Sequence, residues 1–597
     1  MRFKSLIFKI IAILVFIDFF FIFTPAVFAA DRLVRSFGAF PNDDKDDTEA
    51  IIKAIEACQD GDKLIFEKGQ YDIFKTLLLT GEKNLEIAGN GSMLMMRGYN
   101  RETDRGAFTL FTGKSCKNLT IHNILIDQFP LRHMEGKVVA LGQDYFDLEI
   151  FKEFLPITGN EKIGTMMNHN PDGTPNGREF YNPKVKAREL IKPNVLRIST
   201  DDIKLKFLKI GEFVLIRHTG YGPNVMSFDA CAGLTLRDVD IYSGGMGVSA
   251  GNRSSDITFE RFNITYRPGT ERLMSVNADG IHLNKCGGKI IIKDCIINGM
   301  GDDCINIHSM FARVSGIDDA NKKLVLEGGK SRSKAAGDMR VMYPGYAIPG
   351  DVLVFYDVAT MQKKGTAIVK SYTMRDKEAE VVLDEVPVGL KAEDLVDNLA
   401  YLPASVNVTG SKFGRNRARG FLCQVSNVLI EKNEFDHTSS GALWVICDTH
   451  FWFESGPVSN ITIRNNRIIG CNKGETFREG AIVIFCEHKG WQQYGPAGIH
   501  KNITIENNTI EDTDASGIFV CSAENVNVLR NTFKNCSQNP GKIASGNFAI
   551  YYRDTNKGYV FGNNFSGGKE PFAQTSCKDI KQESPTVKQG KATQAIN

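Results

Sequence analysis

The chain runs to 597 residues, more than one ordinary domain holds unless a repeat extends its core. Lysine and arginine total 72 against 70 aspartates and glutamates, so a formal charge of +2 gives no strong electrostatic pull on nucleic acid or a polyanion. The 13 cysteines include no C-x-x-C pair, which leaves zinc and redox motifs unsupported and reads them as small buried hydrophobes.

Residues 1–29 form an expected signal peptide. Arg2 and Lys4 supply the basic region, an apolar stretch follows, and "VFA" ends at Ala29, where cleavage is expected. The mature chain is then exported, to the periplasm or the medium, with no membrane contact after cleavage.

Residues 30–129 are read as a cap and first coils. The stretch "SFGAFPNDDKDDTEAIIKAIEACQDGDKLIFEKGQYDI" predicts a helix starting near Asp47 and Thr48, with Ile51, Ile52, Ile55 and Cys58 turned toward an open end of sheet. Beyond it, short apolar strands recur after a small or polar residue: "NLEI" at 84, "NLTI" at 118, "GLTL" at 233, "DITF" at 256, "KIII" at 289, "NVLI" at 427, "NITI" at 460 and 502, and "NVNV" at 525. The shortest step between them is 23 residues. That period predicts an all-β, right-handed parallel β-helix, in which longer steps carry insertions at corners. A leucine-rich repeat is set aside because its spaced leucines and asparagine ladder are missing from the pattern, and a propeller because a blade needs about 40 residues.

The repeat lapses over 130–226 and 310–404, where "KLKFLKIGEFVLIRH", "DVLVFYDVAT" and "AEVVLDEVPV" alternate with period two. Two inserted antiparallel β-barrels are predicted there. Coils resume over 227–309 and 405–566, and residues 567–597 are read as a polar, disordered tail.

The stretch "VNADGIHLNKCGGKIIIKDCIINGMGDDCINIHS" puts three aspartates among strands. Asp279 and Asp302 stand 23 residues apart, which predicts stacking on adjacent coils about 4.8 Å apart. Asp303 joins them if the chain bulges beside Gly301. Alternation in "CINIH" turns Asn306 and His308 to the face of the acids, with Asn277 and His282 on the preceding coil. Clustered carboxylates share protons unevenly, and glycoside hydrolysis needs one protonated acid beside an ionised base. We expect Asp302 to carry the shared proton. Calcium is the competing reading, since clustered carboxylates are also its ligands.

"NADGIHLNKC", "GMGDDCINIHS", "RNRARGFL" and "FWFESGPVSNITIRNN" together resemble glycoside hydrolase family 110, the exo-acting α-1,3-galactosidases, within the pectate-lyase-like superfamily. The resemblance spans nearly the whole mature chain. It implies an inverting, metal-independent reaction without cofactor on glycans ending in α-1,3-galactose, either blood-group-B-like or linear. Asp302 is the implied general acid, and Asp279 and Asp303 activate the water. Among binding residues, Arg417 and Arg419 are expected to donate to sugar hydroxyls, Trp452 to stack on the terminal sugar, and Glu454, His282, His308, Asn277 and Asn306 to bind hydroxyls. A homodimer through the inserts is a further expectation. The alternatives are a polygalacturonase, whose "G-H-G" and "R-I-K" motifs are missing here, a calcium-dependent lyase using Arg417 or Arg419 as base, and a noncatalytic carbohydrate-binding β-helix.

Overall fold

The computed structural model describes residues 29–180, 183–329, 342–474, 479–490, 493–540, 544–583 and 586–587. The expected signal peptide therefore lies outside the described residues, apart from Ala29. No described helix is long and apolar enough to cross a membrane.

Each coil contributes a strand to three parallel sheets. The first sheet runs through Leu77–Thr80, Phe111–Lys114, Asn224–Asp229, Met246–Gly251, Ile281–Asn284, Ile305–His308, Phe421–Cys423, Leu443–Asp448 and Gly480–Gly490. The second includes Ser255–Ile264, Gly287–Lys293, Ser405–Thr409 and Val428–Glu431, and the third includes Ile296–Asn298, Lys412–Gly414 and Glu434–Asp436. Inward residues such as Ile281, Ile305, Phe421 and Leu443 stack in a continuous core, and the helix Thr48–Glu56 lays Ile51, Ala54 and Ile55 on its open end. The helix N-terminus differs from expectation in detail: Asp46 accepts from the Thr48 amide, while Asp47 turns back to the amides of Phe40 and Asp72.

An asparagine ladder does exist, inside one corner. Asn466, Asn508, Asn531 and Asn563 each accept, on a side-chain oxygen, the amide of the asparagine one coil back, and Asn433 at the start of the ladder accepts the amide of Ser411. The pattern was hidden because these asparagines sit in the second echo of each coil, in "IEKNEF", "IRNNRI" and "IENNTI", away from the strands that set the period.

The two inserts differ from one another. Residues 310–404 contain the expected closed barrel of six strands. Residues 133–217 instead give a seven-stranded antiparallel sheet, packed on its own core, that does not close. One of its edges is Val185–Lys192, whose Lys186, Arg188, Glu189 and Lys192 suit an unpaired strand. The tail also starts later than expected: Glu570–Thr575 and Lys578–Gln582 pair with Phe548–Phe561 and add another coil. Phe572 and Ile580, which pack on the core, are the apolar residues that the polar composition masked.

Both inserts border the same face. The first ends where the chain enters the first sheet at Asn224, and the second begins where it leaves that sheet after His308. They stand as walls on either side of its outward surface.

Candidate active site

Asp279, Asp302 and Asp303 all come from the approach to this sheet, just ahead of the strands beginning at Ile281 and Ile305. The ladder pairs Ile281 with Ile305, an offset of 24, so Asp279 stacks with Asp303 rather than with Asp302. The stacking expected from 23 residues is thus corrected by one position: this coil holds one residue more, and Asp302 is the displaced member. The three still converge, with one carboxylate oxygen of each within 4.8 Å of the others and each side chain buried. Gly301 permits this by absence of bulk, since a Cβ there would lie 2.2 Å from the Asn277 carbonyl oxygen.

Arginines divide the charge. The Arg417 guanidinium donates to Asp302 Oδ1 at 2.7 Å, and the Tyr221 hydroxyl donates to Oδ2 at 3.1 Å. Burial favours the neutral acid, but Arg417, Arg419 and Arg217 together with that hydroxyl outweigh it and hold Asp302 below the usual carboxylate range. Asp303 accepts from the backbone and side chain of Arg419, each at 2.8 Å. Burial nevertheless pushes it well above the usual range; Arg419 opposes this, and the charges of Asp302 and Asp279 add to it. These directions favour Asp303 over Asp302 as the holder of the shared proton, the reverse of the expectation from the sequence. The reason is Arg417, whose position against Asp302 no spacing reveals.

Asp279 receives the Asp303 amide at 3.2 Å and faces His282 Nδ1 at 3.1 Å. His308 Nδ1 lies 2.7 Å from the Ser309 carbonyl, so it must carry the proton there, which leaves Nε2 as an acceptor 2.8 Å from His282 Nε2. His282 then donates from both nitrogens and is an imidazolium. The same division is seen in the titration directions: burial opposes charge on His282, but Asp279 overrides it and raises the pKa, while burial and the neighbouring His282 push His308 well below its ordinary value. A fixed positive charge thus backs Asp279.

Glu454 stands 3.7 Å from His308 Nε2 and accepts from Gln424 at 2.7 Å. Burial raises its carboxyl to about 7. It lies on a loop organised by Asp448, which accepts from the amides of His450, Phe451 and Trp452. Trp452 shares this loop, and its indole meets the Phe451 ring edge-on. Asn306 faces outward beside His282, as alternation predicted.

Asn277 is the exception. Its side chain is wholly buried and its amide donates to the carbonyls of Arg132 and Thr219, so it ties the first insert to the coil instead of lining the outward face. The residue precedes the strand, where the alternation used to place it does not hold. Three contributors were not legible: Tyr221 and Arg217 from the end of the first insert, and Glu179, which pairs with Arg417 at 3.1 Å. All come from non-repeating sequence, so no period pointed to them. Glu179, Arg178, Asn168 and His169 also line, with Arg417 and Arg419, a cavity of about 40 Å³ between the insert and the coils.

The three carboxylates have a donor set that a divalent cation would accept, but Arg417 and Arg419 already occupy oxygens of two of them. The positive charge that such a cation would supply is built into the chain.

A family model described as right handed beta helix region matches residues 399–570, and one described as glycosyl hydrolases family 28 matches residues 218–318. The alpha-1,3-galactosidase A of Shewanella woodyi is 26% identical over 583 residues, covering 89% of this chain and 90% of that one. The alpha-1,3-galactosidase B of Bacteroides thetaiotaomicron is 27% identical over 547 residues, covering 84% and 85%. The chain is a homologue of the alpha-1,3-galactosidases. This accords with the resemblance to glycoside hydrolase family 110. A family 28 exopolygalacturonase from Yersinia enterocolitica superposes with a TM-score of 0.41 at 13% identity, over 93% of this chain and 78% of that structure.

The arginine at the triad gives a pH prediction. If one proton on the triad is the working state, activity is expected to fall at low pH as a second proton binds and at high pH as the first is lost. Arg417 holds Asp302 ionised; replacing it with methionine raises the proton affinity of Asp302, and the acidic limb of the kcat/KM profile moves to higher pH. An acidic limb that stays in place would show that Arg417 does not set this ionisation.

Proposed function

We propose that the chain is an exo-glycosidase that hydrolyses terminal, non-reducing α-1,3-linked galactose with inversion and without a metal. The observation that carries the reading is the triad of buried carboxyls with divided protonation, in a chain homologous over most of its length to alpha-1,3-galactosidases. The substrates are glycans ending in galactose; blood-group-B-like branched caps and linear α-1,3 caps are the finer proposal.

In the mechanism, the sugar binds over the outward face of the first sheet, between the two inserts. The glycosidic oxygen approaches Asp302 and displaces the Tyr221 hydroxyl from Oδ2. Losing that donor raises the proton affinity of Asp302, and the proton resting on Asp303 passes to it for delivery to the leaving oxygen. Asp279, backed by the His282 imidazolium, and the newly ionised Asp303 then take the proton of the attacking water. His308, Glu454 and Arg419 are placed to meet sugar hydroxyls. Export after residue 29 and a homodimer through the inserts belong to the same proposal.

The triad is tighter than the usual carboxyl separation of about 6.5–9.5 Å in inverting enzymes, so the product anomer is the decisive measurement. With an α-1,3-galactosyl disaccharide in the presence of chelator, NMR should show β-galactose forming first. First-formed α-galactose would replace inversion with a covalent intermediate, and release that required added calcium would overturn the metal-free reaction.

A further inference from the structure

The strands Leu443–Asp448 and Gly480–Gly490 are parallel neighbours, and their register sets Cys447 directly against Cys486. Neighbouring parallel strands lie about 4.8 Å apart, inside the Cα range of about 4.4–6.8 Å that a disulfide spans. Both side chains are fully buried and share one apolar cluster with Phe311, Leu395, Phe453 and Ile499, where the second insert meets the coils. The neighbouring Cys447 thiol, with His488 alongside and against the effect of burial, brings Cys486 down to about 7.

The geometry points to a cross-coil disulfide between Cys447 and Cys486 that forms under oxidising conditions and fastens the root of the Asp448–Glu454 loop to the following coil. Cys447 directly precedes Asp448, whose carboxylate holds the amides of residues 450–452 and whose own amide donates to the Glu454 carbonyl at 3.1 Å. A bond at Cys447 therefore restrains the segment that presents Glu454 to the site. It closes a loop of about 40 residues, long enough to restrict the unfolded chain.

The oxidant is a small disulfide such as oxidised glutathione, acting as the coils close and before the thiols are sealed in. The Cys486 thiolate attacks one glutathione sulfur and forms a mixed disulfide, releasing one glutathione thiolate. Cys447 gives up its proton and attacks the Cys486 sulfur, displacing the second. Two protein thiols are oxidised, one glutathione disulfide is reduced, and the two protons leave on two glutathione molecules.

The test is to refold the full chain in buffers of increasing oxidised-to-reduced glutathione ratio, alkylate in denaturant and map the peptides by mass spectrometry. A Cys447–Cys486 linked peptide that rises with the ratio, and a melting temperature about 3 °C or more higher in the oxidised sample, are expected. In Cys486→Ala the gap between oxidised and reduced samples should vanish. Recovery of both cysteines alkylated at the most oxidising ratio would overturn the proposal, and that reading needs no variant.

Discussion

Asp302→Asn is expected to lower galactose release from an α-1,3-galactosyl disaccharide by roughly 10³-fold, yet to retain turnover of α-galactosyl fluoride, whose leaving group needs no proton. Asp303→Asn and Asp279→Asn should fail on both substrates, because activation of the water is lost whichever group departs. The comparison separates the role of acid from that of base. Asp302 has Tyr221 on one oxygen and Arg417 on the other, while burial and the neighbouring carboxylates favour the proton on Asp303. If Asp303→Asn were the variant that kept fluoride turnover, Asp303 would be the acid, and the transfer to Asp302 would be dismissed. Near-normal release by Asp302→Asn would remove Asp302 as the acid and place the hydrolysis outside this triad.

Arg217→Met should be the most destabilising single change near the site. The guanidinium is fully buried, and one nitrogen donates to the carbonyls of Asn277 at 2.7 Å, Gly301 at 3.1 Å and Gly220 at 3.2 Å. These oxygens belong to the two coils that carry the aspartates and to the exit of the first insert. Burial drives its pKa down to about 10, still far above neutrality, so it works as a cation. Methionine keeps the volume but leaves three buried acceptors without a donor, a cost of about 3–5 kcal/mol. A denaturant titration should show a clear fall in midpoint, and kcat/KM should fall with it, since Asp279 and Asp302 lose the brace that joins their coils. A midpoint within error of the parent would mean that water replaces the guanidinium and that the site is held otherwise.

The coil period made the architecture and the acids legible. Inward residues such as Ile281 and Ile305 repeat at the coil step, and any polar residue interrupting the stack stands out against them. Register was less legible, because the step between these coils is 24 rather than 23, and one added residue decides which aspartate stacks with Asp279. The site residues split along the same line. Asn306 and His308 lie in a strand and were placed by alternation, whereas Asn277 lies ahead of a strand and was misplaced by it. Arg217, Tyr221 and Glu179 approach from a chain segment that follows no coil period, so only the folded structure brings them to the acids. The unclosed first insert shares this cause, since alternation reveals strands but not whether the last finds the first.

The two walls of the groove enter and leave through corners of the β-helix, while the acids ride on its stacked coils. A change of length or sequence at the outer parts of either wall reshapes what fits against the floor without shifting the register of the coils beneath. Selectivity among galactose-capped glycans can therefore drift by remodelling these insertions, while the proton chemistry stays anchored to a lattice that tolerates no slip.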